Sequence, residues 1–190
     1  MYPDSSSRSQ ALHTRARAAL PGGNTRTTVY LSPYPVYASH GEGCRVHDVD
    51  GNVLIDCINN FTALIHGHVQ PDVNAAVRRQ LERGTAFGMP TESEILLAEL
   101  LAERVPGIEH IRFTTSGTEA VMMALKAARA YTGRARIAKV EGAYHGSYDY
   151  AEISLDARPE NWGPAQAPVS IPYAKGTPPA VLDDVVVLPL

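Results

Sequence analysis

The chain has 190 residues, a hydrophobic fraction of 44% and a formal net charge of −3. This is the composition of a globular protein, and it excludes a collagen-like chain, a disulfide scaffold and wholesale disorder. The slightly acidic balance offers no general surface for polyanions, so we expect no nucleic-acid partner. No apolar run approaches the roughly 20 residues that cross a bilayer, and the N-terminus lacks the basic and apolar regions of a secretory signal. We therefore expect a cytoplasmic protein with no membrane partner.

The helical pattern of the first hundred residues predicts a weak helix over residues 5–20 and two amphipathic helices after it. Pro71 favours the first position of one helix, and Thr91 with Glu94 forms a capping box at the start of the other. Apolar residues at helical spacing are expected to be buried: Val73, Val77 and Leu81 in the first, and Leu97, Ala98, Leu101 and Val105 in the second. Residues 59–70 predict a loop with a short helical turn.

A β-hairpin is predicted over residues 44–57, because two strand-like runs flank Asp50-Gly51, a common turn pair. With those two residues as the tight turn, Cys44 faces Cys57, and a cross-strand disulfide is geometrically conceivable. In a reducing compartment, two small half-buried thiols are the favoured interpretation.

The second half of the chain predicts a strand, a helix and a strand over residues 111–115, 117–131 and 137–140. In such a β-α-β unit the two strands are parallel and the crossover is right-handed. Residues 156–182 show no helical or strand-like spacing of apolar residues, which indicates a long irregular connection. Residues 185–188 are wholly apolar, as in a buried parallel strand.

Ser116, Gly117 and Thr118 stand where the first of these strands leads into the helix. The start of a helix offers unpaired N–H groups and a positive dipole end, and here two hydroxyls are added. A glycine allows a ligand to approach the backbone closely. These residues could form a phosphate cup, although the same pattern is also typical of plain N-capping.

Tyr144 and His145 follow the next predicted strand. Parallel strands deliver their carboxyl ends to one sheet edge, where open α/β sheets bind ligands, so this loop should converge on the phosphate cup. Tyr144 could then stack on the ring of a flat, phosphorylated cofactor. The alternatives are an aromatic residue that caps the loop at Tyr144 and a solvent-facing loop histidine at position 145.

Other phosphate and metal motifs are weak. The chain contains no P-loop pattern, and Gly41-Glu42-Gly43 lacks the third glycine of a dinucleotide fingerprint. His66 and His68 lie two apart without obvious Cys or carboxylate partners nearby, so we expect no metal site.

Eight short motifs, in order and at compatible spacing over residues 21–155, resemble the class III pyridoxal-phosphate aminotransferases. The similarity is greatest to glutamate-1-semialdehyde 2,1-aminomutases and to β-amino acid aminotransferases. The motifs are Pro21-Gly22-Gly23, Asp48-Val49-Asp50-Gly51 with Ile55-Asp56, Gly67-His68, Phe87-Gly88-Met89-Pro90-Thr91 with Glu94, Arg112-Phe113, Ser116-Gly117-Thr118-Glu119-Ala120, Thr132-Gly133-Arg134 and Glu141-Gly142-Ala143-Tyr144-His145-Gly146.

The resemblance implies an α/β, fold-type I transferase that uses pyridoxal 5'-phosphate and works as a homodimer on a small-molecule amino donor and acceptor. Residues 1–65 would be the N-terminal segment of the small domain, and residues 66–190 the first part of the large, mostly parallel-sheet domain. Ser116, Gly117 and Thr118 would hold the cofactor phosphate, with Tyr144 and His145 beside the ring.

The resemblance also implies a substrate contact at Arg26, which in relatives that act on β-amino acids grips a carboxylate, a task that suits a guanidinium. The alternative is an exposed loop arginine. The residues after Tyr144-His145-Gly146 depart from those usual in aminomutases, so aminotransferase chemistry is the firmer expectation and isomerase activity the less firm one.

The family's Schiff-base lysine has no counterpart among Lys126, Lys139 and Lys175, the three lysines of this chain. We therefore expect the N-terminal part of a longer enzyme, or a truncated product that is inactive alone. Two alternatives stay open. One is a non-catalytic chain that binds a phosphorylated ligand or pairs with a related subunit, and the other is an inactive remnant without a partner.

Overall fold

The computed structural model describes residues 2–189 and divides the chain into two compact units, Met1–Pro90 and Thr91–Leu190. This boundary differs from the one expected between residues 65 and 66. The assignment of residues 1–65 and 66–190 to a small and a large domain stays a prediction. Among residues 2–189, no helix combines the length and the apolar character needed to cross a bilayer.

In the first unit, helix α1 (Arg8–Arg17) is fixed at its N-terminus by two acceptors. The Ser7 side chain accepts a hydrogen bond from the Gln10 N–H, as an N-cap residue should. Asp50, from the hairpin, accepts from the N–H groups of Arg8 at 2.6 Å and Ser9 at 3.1 Å. The N-terminal helix is thereby attached to the sheet. Two short 3-10 turns, Pro21–Gly23 and Thr27–Val29, follow.

The first unit contains an antiparallel sheet of three strands in the order β1 (Ala38–Glu42), β2 (Arg45–Asp48) and β3 (Val53–Ile55). The predicted hairpin is β2–β3, whereas β1 has no strong sequence signal because its run Ala-Ser-His-Gly-Glu is largely polar.

The predicted register of the hairpin is wrong by one residue. Arg45 pairs with Ile55, so Cys44 lies opposite Asp56 rather than Cys57. The turn is longer than predicted, because the Asp48 N–H donates to the Asn52 carbonyl and closes a loop over Val49, Asp50 and Gly51. Both cysteines are free and exposed, which also corrects the expectation of half-buried thiols.

Helix α2 (Pro71–Leu81) begins at its proline as predicted, with the Gln70 side chain accepting from the Val73 N–H. Its apolar stripe is not buried, contrary to the expectation. Val73, Val77 and Leu81 are 49%, 51% and 61% exposed. Helical spacing identifies a face, but no element of the described residues covers this one.

In the second unit, helix α3 (Glu92–Arg104) has the predicted Thr91–Glu94 capping box. Leu97 and Val105 on its expected buried stripe are exposed. Helix α4 (Gly117–Thr132) begins after the N-cap Ser116 and ends at Gly133, whose φ of +68° is the left-handed C-cap conformation. The short helices α5 (Asp149–Glu152) and α6 (Pro179–Asp184) complete the helical set.

The strand predicted at residues 111–115 is absent, because this extended segment has no neighbouring strand among the described residues with which to form a ladder. The parallel pair is instead β4 (Ile137–Val140) with β5 (Val185–Leu188), in which Ile137 lies opposite Val185. The sequence predicted both of these strands, but the β-α-β unit as proposed is wrong.

The buried core of the second unit lies against this parallel pair. It consists of four apolar residues, and its members are Ile153, Val181, Val185 and Val187. Ile137, Tyr150 and Leu182 pack around them. The carboxyl end of β4, from which the loop with Tyr144 and His145 emerges, is held by pairing with β5, where Val140 lies opposite Leu188 and the Glu141 N–H donates to the Leu188 carbonyl at 2.9 Å.

Candidate functional site

The N-terminus of α4 presents backbone donors to open space. Gly117 and Thr118 stand in the first turn, where N–H groups have no partner within the helix. Among the described residues outside its own helix turn, a Cβ added at Gly117 would meet no atom within 4 Å, so the Cβ side of this backbone is open. The arrangement suits an anion, because the N–H groups and the positive end of the helix dipole point the same way.

The hydroxyls of Ser116 and Thr118 both accept hydrogen bonds from backbone donors. Ser116 Oγ accepts from the Glu119 N–H at 3.2 Å, and Thr118 Oγ1 accepts from the Ser147 N–H at 3.0 Å. Because each oxygen already accepts, its proton remains available for donation to a ligand oxygen. Ser116 is therefore an N-cap residue, and this role is compatible with a second one in anion binding.

Glu119 closes the outer side of this turn. Its carboxylate accepts from the Thr115 N–H at 2.8 Å, and hydrogen bonding from Thr115 holds the pKa of the Glu119 carboxyl below its usual value. The Thr115 amide is thus occupied, whereas the first-turn amides of Gly117 and Thr118 lie beyond it.

The loop after β4 contacts the start of α4 through Gly146 and Ser147. Gly146 is buried, and a Cβ on it would lie 2.5 Å from Thr118 Oγ1 and 2.7 Å from Thr118 Cα. The next residue, Ser147, makes the N–H bond to Thr118. Sequence reasoning missed Ser147, although its place directly after the Gly146 motif is a signal that could have identified it.

A second contact joins helix α5, which follows this loop, to the other end of α4. The Arg129 guanidinium lies over the Tyr150 ring, with its Cζ 4.1 Å from the ring centre, and Arg129 Nε donates to the Ala135 carbonyl at 2.6 Å. The segment after β4 is therefore held at both Ser147 and Tyr150.

Tyr144 and His145 are both exposed in this loop, with Tyr144 62% exposed. Among the described residues, neither ring forms a stacking contact with another aromatic ring. A large exposed aromatic ring without an aromatic partner is free to cover a flat ligand.

Lys139 is the one buried lysine of the three, and its ammonium forms a hydrogen bond inside the second unit. Its Nζ donates to the Ile153 carbonyl at 2.6 Å within the core of the second unit. Burial lowers the pKa of Lys139, and the nearby charge of Glu141 opposes that shift. Lys126 and Lys175 are exposed.

Arg26 belongs to the first unit. Its Nη1 donates to Asn60 Oδ1 at 3.0 Å, and its Cζ lies 5.0 Å from the centre of the Phe61 ring. Neither contact was predicted from the sequence.

His68 has a carboxylate partner that sequence reasoning did not find. Its Nε2 lies 2.8 Å from Asp56 Oδ2. Within residues 2–189, however, no group of three or more Cys, His, Asp or Glu side chains could hold a metal ion.

The sequence model of the class III aminotransferases matches residues 29–171, most of the chain. The chain belongs to the class III aminotransferase family. Among curated relatives, it is 48% identical over 163 residues to the glutamate-1-semialdehyde 2,1-aminomutase of Methanothermobacter thermautotrophicus, covering 86% of this chain and 38% of that protein. It is 39% identical over 188 residues to the enzyme of that name from Methanopyrus kandleri, covering 99% of this chain and 42% of that protein.

Solved structures give the same assignment for the fold. An omega-transaminase from Sphaerobacter thermophilus superposes with a TM-score of 0.94 at 61% identity, over 100% of this chain and 43% of that one. A transaminase solved with PLP bound gives a TM-score of 0.86 at 50% identity, over 96% of this chain and 41% of that one. A β-phenylalanine aminotransferase from Variovorax paradoxus gives a TM-score of 0.77 at 34% identity, over 95% of this chain and 37% of that one.

The class III chain thus has the mixed α/β structure of the N-terminal portion of fold-type I pyridoxal-phosphate transferases. It spans about two-fifths of the length of the relatives it matches.

Proposed function

We propose that this chain supplies the phosphate and ring contacts of pyridoxal 5'-phosphate in an enzyme that transfers an amino group. The observation that carries the proposal is the hydrogen bond from the Ser147 N–H to Thr118 Oγ1, which joins the open N-terminus of α4 to the loop of Tyr144 and His145. The membership of the class III family and the relative with PLP bound support the same cofactor.

The residues present fit the phosphate of that cofactor. The first-turn N–H groups of Gly117 and Thr118 and the hydroxyl protons of Ser116 and Thr118 would donate to phosphate oxygens. The exposed ring of Tyr144 would cover the pyridine, with His145 beside it. When bound, the cofactor acts as the electron sink for the carbon that loses or gains the amino group.

For the substrate, we propose an amino acid whose carboxylate is bound by Arg26. The relatives include an omega-transaminase, a β-phenylalanine aminotransferase and glutamate-1-semialdehyde aminomutases. Each of these names refers to a reaction that moves an amino group. A β-amino acid is the class we favour. Aminotransfer is favoured over isomerisation, and we further propose that the enzyme is a homodimer.

A second candidate is a non-catalytic chain that binds a phosphorylated ligand or pairs with a related subunit. It is favoured by the three lysines, since Lys139 is engaged with the Ile153 carbonyl and Lys126 and Lys175 lie exposed. The reading frame distinguishes the two. Continuation past Leu190 favours the enzyme, whereas a stop codon there favours the second candidate.

The phosphate contact is tested by Thr118→Val, which keeps the side-chain shape but removes the hydroxyl. In the protein encoded by the full reading frame, the dissociation constant for pyridoxal 5'-phosphate should rise about tenfold or more, because a hydrogen bond to a charged group is worth roughly 1.5–3 kcal/mol. The dissociation constant for pyridoxal, which has no phosphate, should change little.

The matched control is Thr118→Ser, which retains the hydroxyl and should retain the affinity for pyridoxal 5'-phosphate. Equal losses for pyridoxal and for its phosphate in Thr118→Val would count against a phosphate contact. That result would instead indicate a general loss of structure.

A further inference from the structure

Arg26 is exposed, yet two side chains of one loop hold its guanidinium in a defined position. Asn60 Oδ1 accepts from Arg26 Nη1 at 3.0 Å, and the Phe61 ring lies under the guanidinium at 5.0 Å. A free arginine side chain loses considerable rotamer entropy when it binds a ligand. Contacts that fix it beforehand reduce that cost.

Both of these holding groups are uncharged. Among the described residues, no carboxylate forms an ion pair with Arg26. Asn60 occupies one of the five N–H donors of the guanidinium, so an edge of the fork remains free. The positive charge is therefore held in place without being neutralised, which is the state that a carboxylate ligand requires.

The loop that carries Asn60 and Phe61 has an unusual backbone. Four successive residues, none of them glycine, have positive φ: 51° at Asn59, 48° at Asn60, 56° at Phe61 and 69° at Thr62. Asparagine tolerates this region, but an aromatic residue and a β-branched residue do not adopt it readily. Such backbone strain persists only where the surrounding structure holds it.

Asp56 is the group that fixes the start of this left-handed turn. Its Oδ1 accepts from the N–H groups of Ile58 at 3.1 Å and Asn59 at 2.7 Å. Its Oδ2 lies 2.8 Å from His68 Nε2, and the His68 ring in turn packs on Gly41, where an added Cβ would lie 2.3 Å from His68 Cγ. The turn is thus anchored to β1 through one carboxylate and one imidazole.

We propose that Asn60 and Phe61 are positioning residues that hold Arg26, with its charge uncompensated, ready for the carboxylate of the substrate. The inference rests on the proposed function of Arg26. It adds that selectivity for an amino acid over a plain amine requires uncharged side chains at Asn60 and Phe61. A carboxylate in their place would compete with the substrate carboxylate for the Arg26 guanidinium.

The test uses two substrates that differ only by the carboxyl group, β-phenylalanine and 1-phenylethylamine, with the protein of the full reading frame. The quantity measured is the preference, the ratio of kcat/KM for the acid to kcat/KM for the amine. A loss of folded enzyme lowers both values equally and leaves this ratio unchanged, so a merely structural role would not alter it.

Four variants separate the contributions. Asn60→Gly keeps the positive φ without strain and removes the acceptor, so the preference should fall about 2- to 12-fold. Phe61→Leu removes the ring and should lower it about 2- to 5-fold. Asn60→Asp keeps an acceptor but adds a negative charge, and should lower the preference at least about fivefold, through KM for the acid.

The control variant is Thr62→Gly, which lies on the same turn but forms no hydrogen bond with Arg26, and it should keep the preference.

The outcomes distinguish this inference from the function on which it rests. If Arg26→Ala abolishes the preference while the Asn60 and Phe61 variants retain it, the inference is overturned and the role of Arg26 stands. If Arg26→Ala retains the preference, or the wild type accepts neither substrate, the proposed function fails and the inference with it. Full retention in Asn60→Asp would also overturn the inference, because a simple loop support would tolerate aspartate.

Discussion

Gly146 and Thr118 approach so closely that a side chain at residue 146 would overlap the start of α4. The Gly146 φ of +88° adds a second reason for glycine, since that backbone conformation is strained for other residues. The close approach of the loop to Thr118 therefore requires glycine at position 146.

Gly146→Ala should separate the loop from α4. The new Cβ would lie 2.5 Å from Thr118 Oγ1, so the bond from Ser147 must break or the helix start must shift. We expect a loss of about 1–3 kcal/mol in the free energy of unfolding, measured by urea titration, and weaker binding of pyridoxal 5'-phosphate.

Gly142→Ala is the matched control for this substitution. It lies in the same loop with φ +69°, but an added Cβ would meet nothing within 4 Å. It should show the cost of the backbone conformation alone and leave cofactor affinity unchanged. Equal effects of the two variants would mean that the Thr118 contact is unimportant.

Replacing Tyr144 by Ala should weaken the retention of pyridoxal 5'-phosphate by roughly 0.5–1.5 kcal/mol, because the aromatic contact with the pyridine is lost. Tyr144→Phe keeps the ring and should bind as the wild type does. Equilibrium dialysis gives both constants, and an unchanged affinity in Tyr144→Ala would refute the stacking role.

Residues at the helix start were predictable from the sequence, whereas those around Arg26 were not. Ser116 and Thr118 lie next to a glycine at the beginning of a strongly periodic helix, and that pattern determines where their hydroxyls stand. Asn60 and Phe61 belong to a left-handed turn without glycine, and no local signal predicts such a turn. The Asp56 carboxylate, through the N–H groups of Ile58 and Asn59, and backbone hydrogen bonds within the loop hold this turn.

The hairpin turn is held by two carboxylates. The Asp50 carboxylate accepts from the N–H groups of Arg8 and Ser9 and from Ser9 Oγ at 2.6 Å. The Asp48 carboxylate accepts from the N–H groups of Asp50 at 2.9 Å and Asn52 at 2.7 Å, across a turn of three residues. The Asp-Gly pair predicted a two-residue turn, because the local rule does not include these side-chain acceptors, and the register of β2 against β3 differs from that prediction by one residue.

The attachment of α1 to the hairpin should be sensitive to acid. Hydrogen bonds, chiefly from the Ser9 side chain, hold the pKa of Asp50 below its usual value. A lowered pKa means that the stabilisation is present above the unfolded-state pKa of about 3.9 and is lost as the pH falls through the folded-state pKa. The protection factors of the α1 amides, which correct the exchange rates for the slower intrinsic exchange in acid, should therefore fall once the pH drops through the folded-state pKa, below about 3.9.

Asp50→Asn tests this expectation. The α1 protection factors of the variant should be lower than those of the wild type at pH 7, and the difference should shrink as the pH falls through the lowered folded-state pKa of the wild-type carboxyl. Asp183→Asn changes an exposed carboxyl in the second unit and serves as the control. A difference between Asp50→Asn and the wild type that does not shrink at any pH below the unfolded-state pKa of about 3.9 would contradict the role of the Asp50 charge.

Helices and strands differed in how well the sequence predicted them. The capping box of α3 and the glycine end of α4 are local signals, and both were confirmed. Residues 111–115 have strand-like composition but no partner among the described residues, so their conformation depends on neighbours that the local sequence does not specify.

At the scale of the whole molecule, much apolar surface is exposed within the part of the chain that the structure describes. The stripe of α2 is the clearest example, with Val77 51% exposed. The chain also spans about two-fifths of the length of its relatives. Periodicity predicted the stripe correctly, but burial depends on what lies against it.

Val77→Glu should therefore be nearly neutral in the chain described here, within about 0.5 kcal/mol of the wild type, because the side chain is not packed in a core. Val181→Ala, which removes two methyl groups from a side chain only 5% exposed, should cost roughly 1.5–3 kcal/mol. Urea unfolding compares the two variants. A loss at Val77 as large as that at Val181 would mean that another surface covers α2 in solution.

The most direct test of the cofactor site is a crystal structure of this protein with pyridoxal 5'-phosphate. We expect phosphate oxygens within hydrogen-bond distance of the N–H groups of Gly117 and Thr118 and of Thr118 Oγ1, with the Tyr144 ring stacked on the pyridine. A phosphate bound elsewhere, with the N-terminus of α4 occupied only by water, would contradict it.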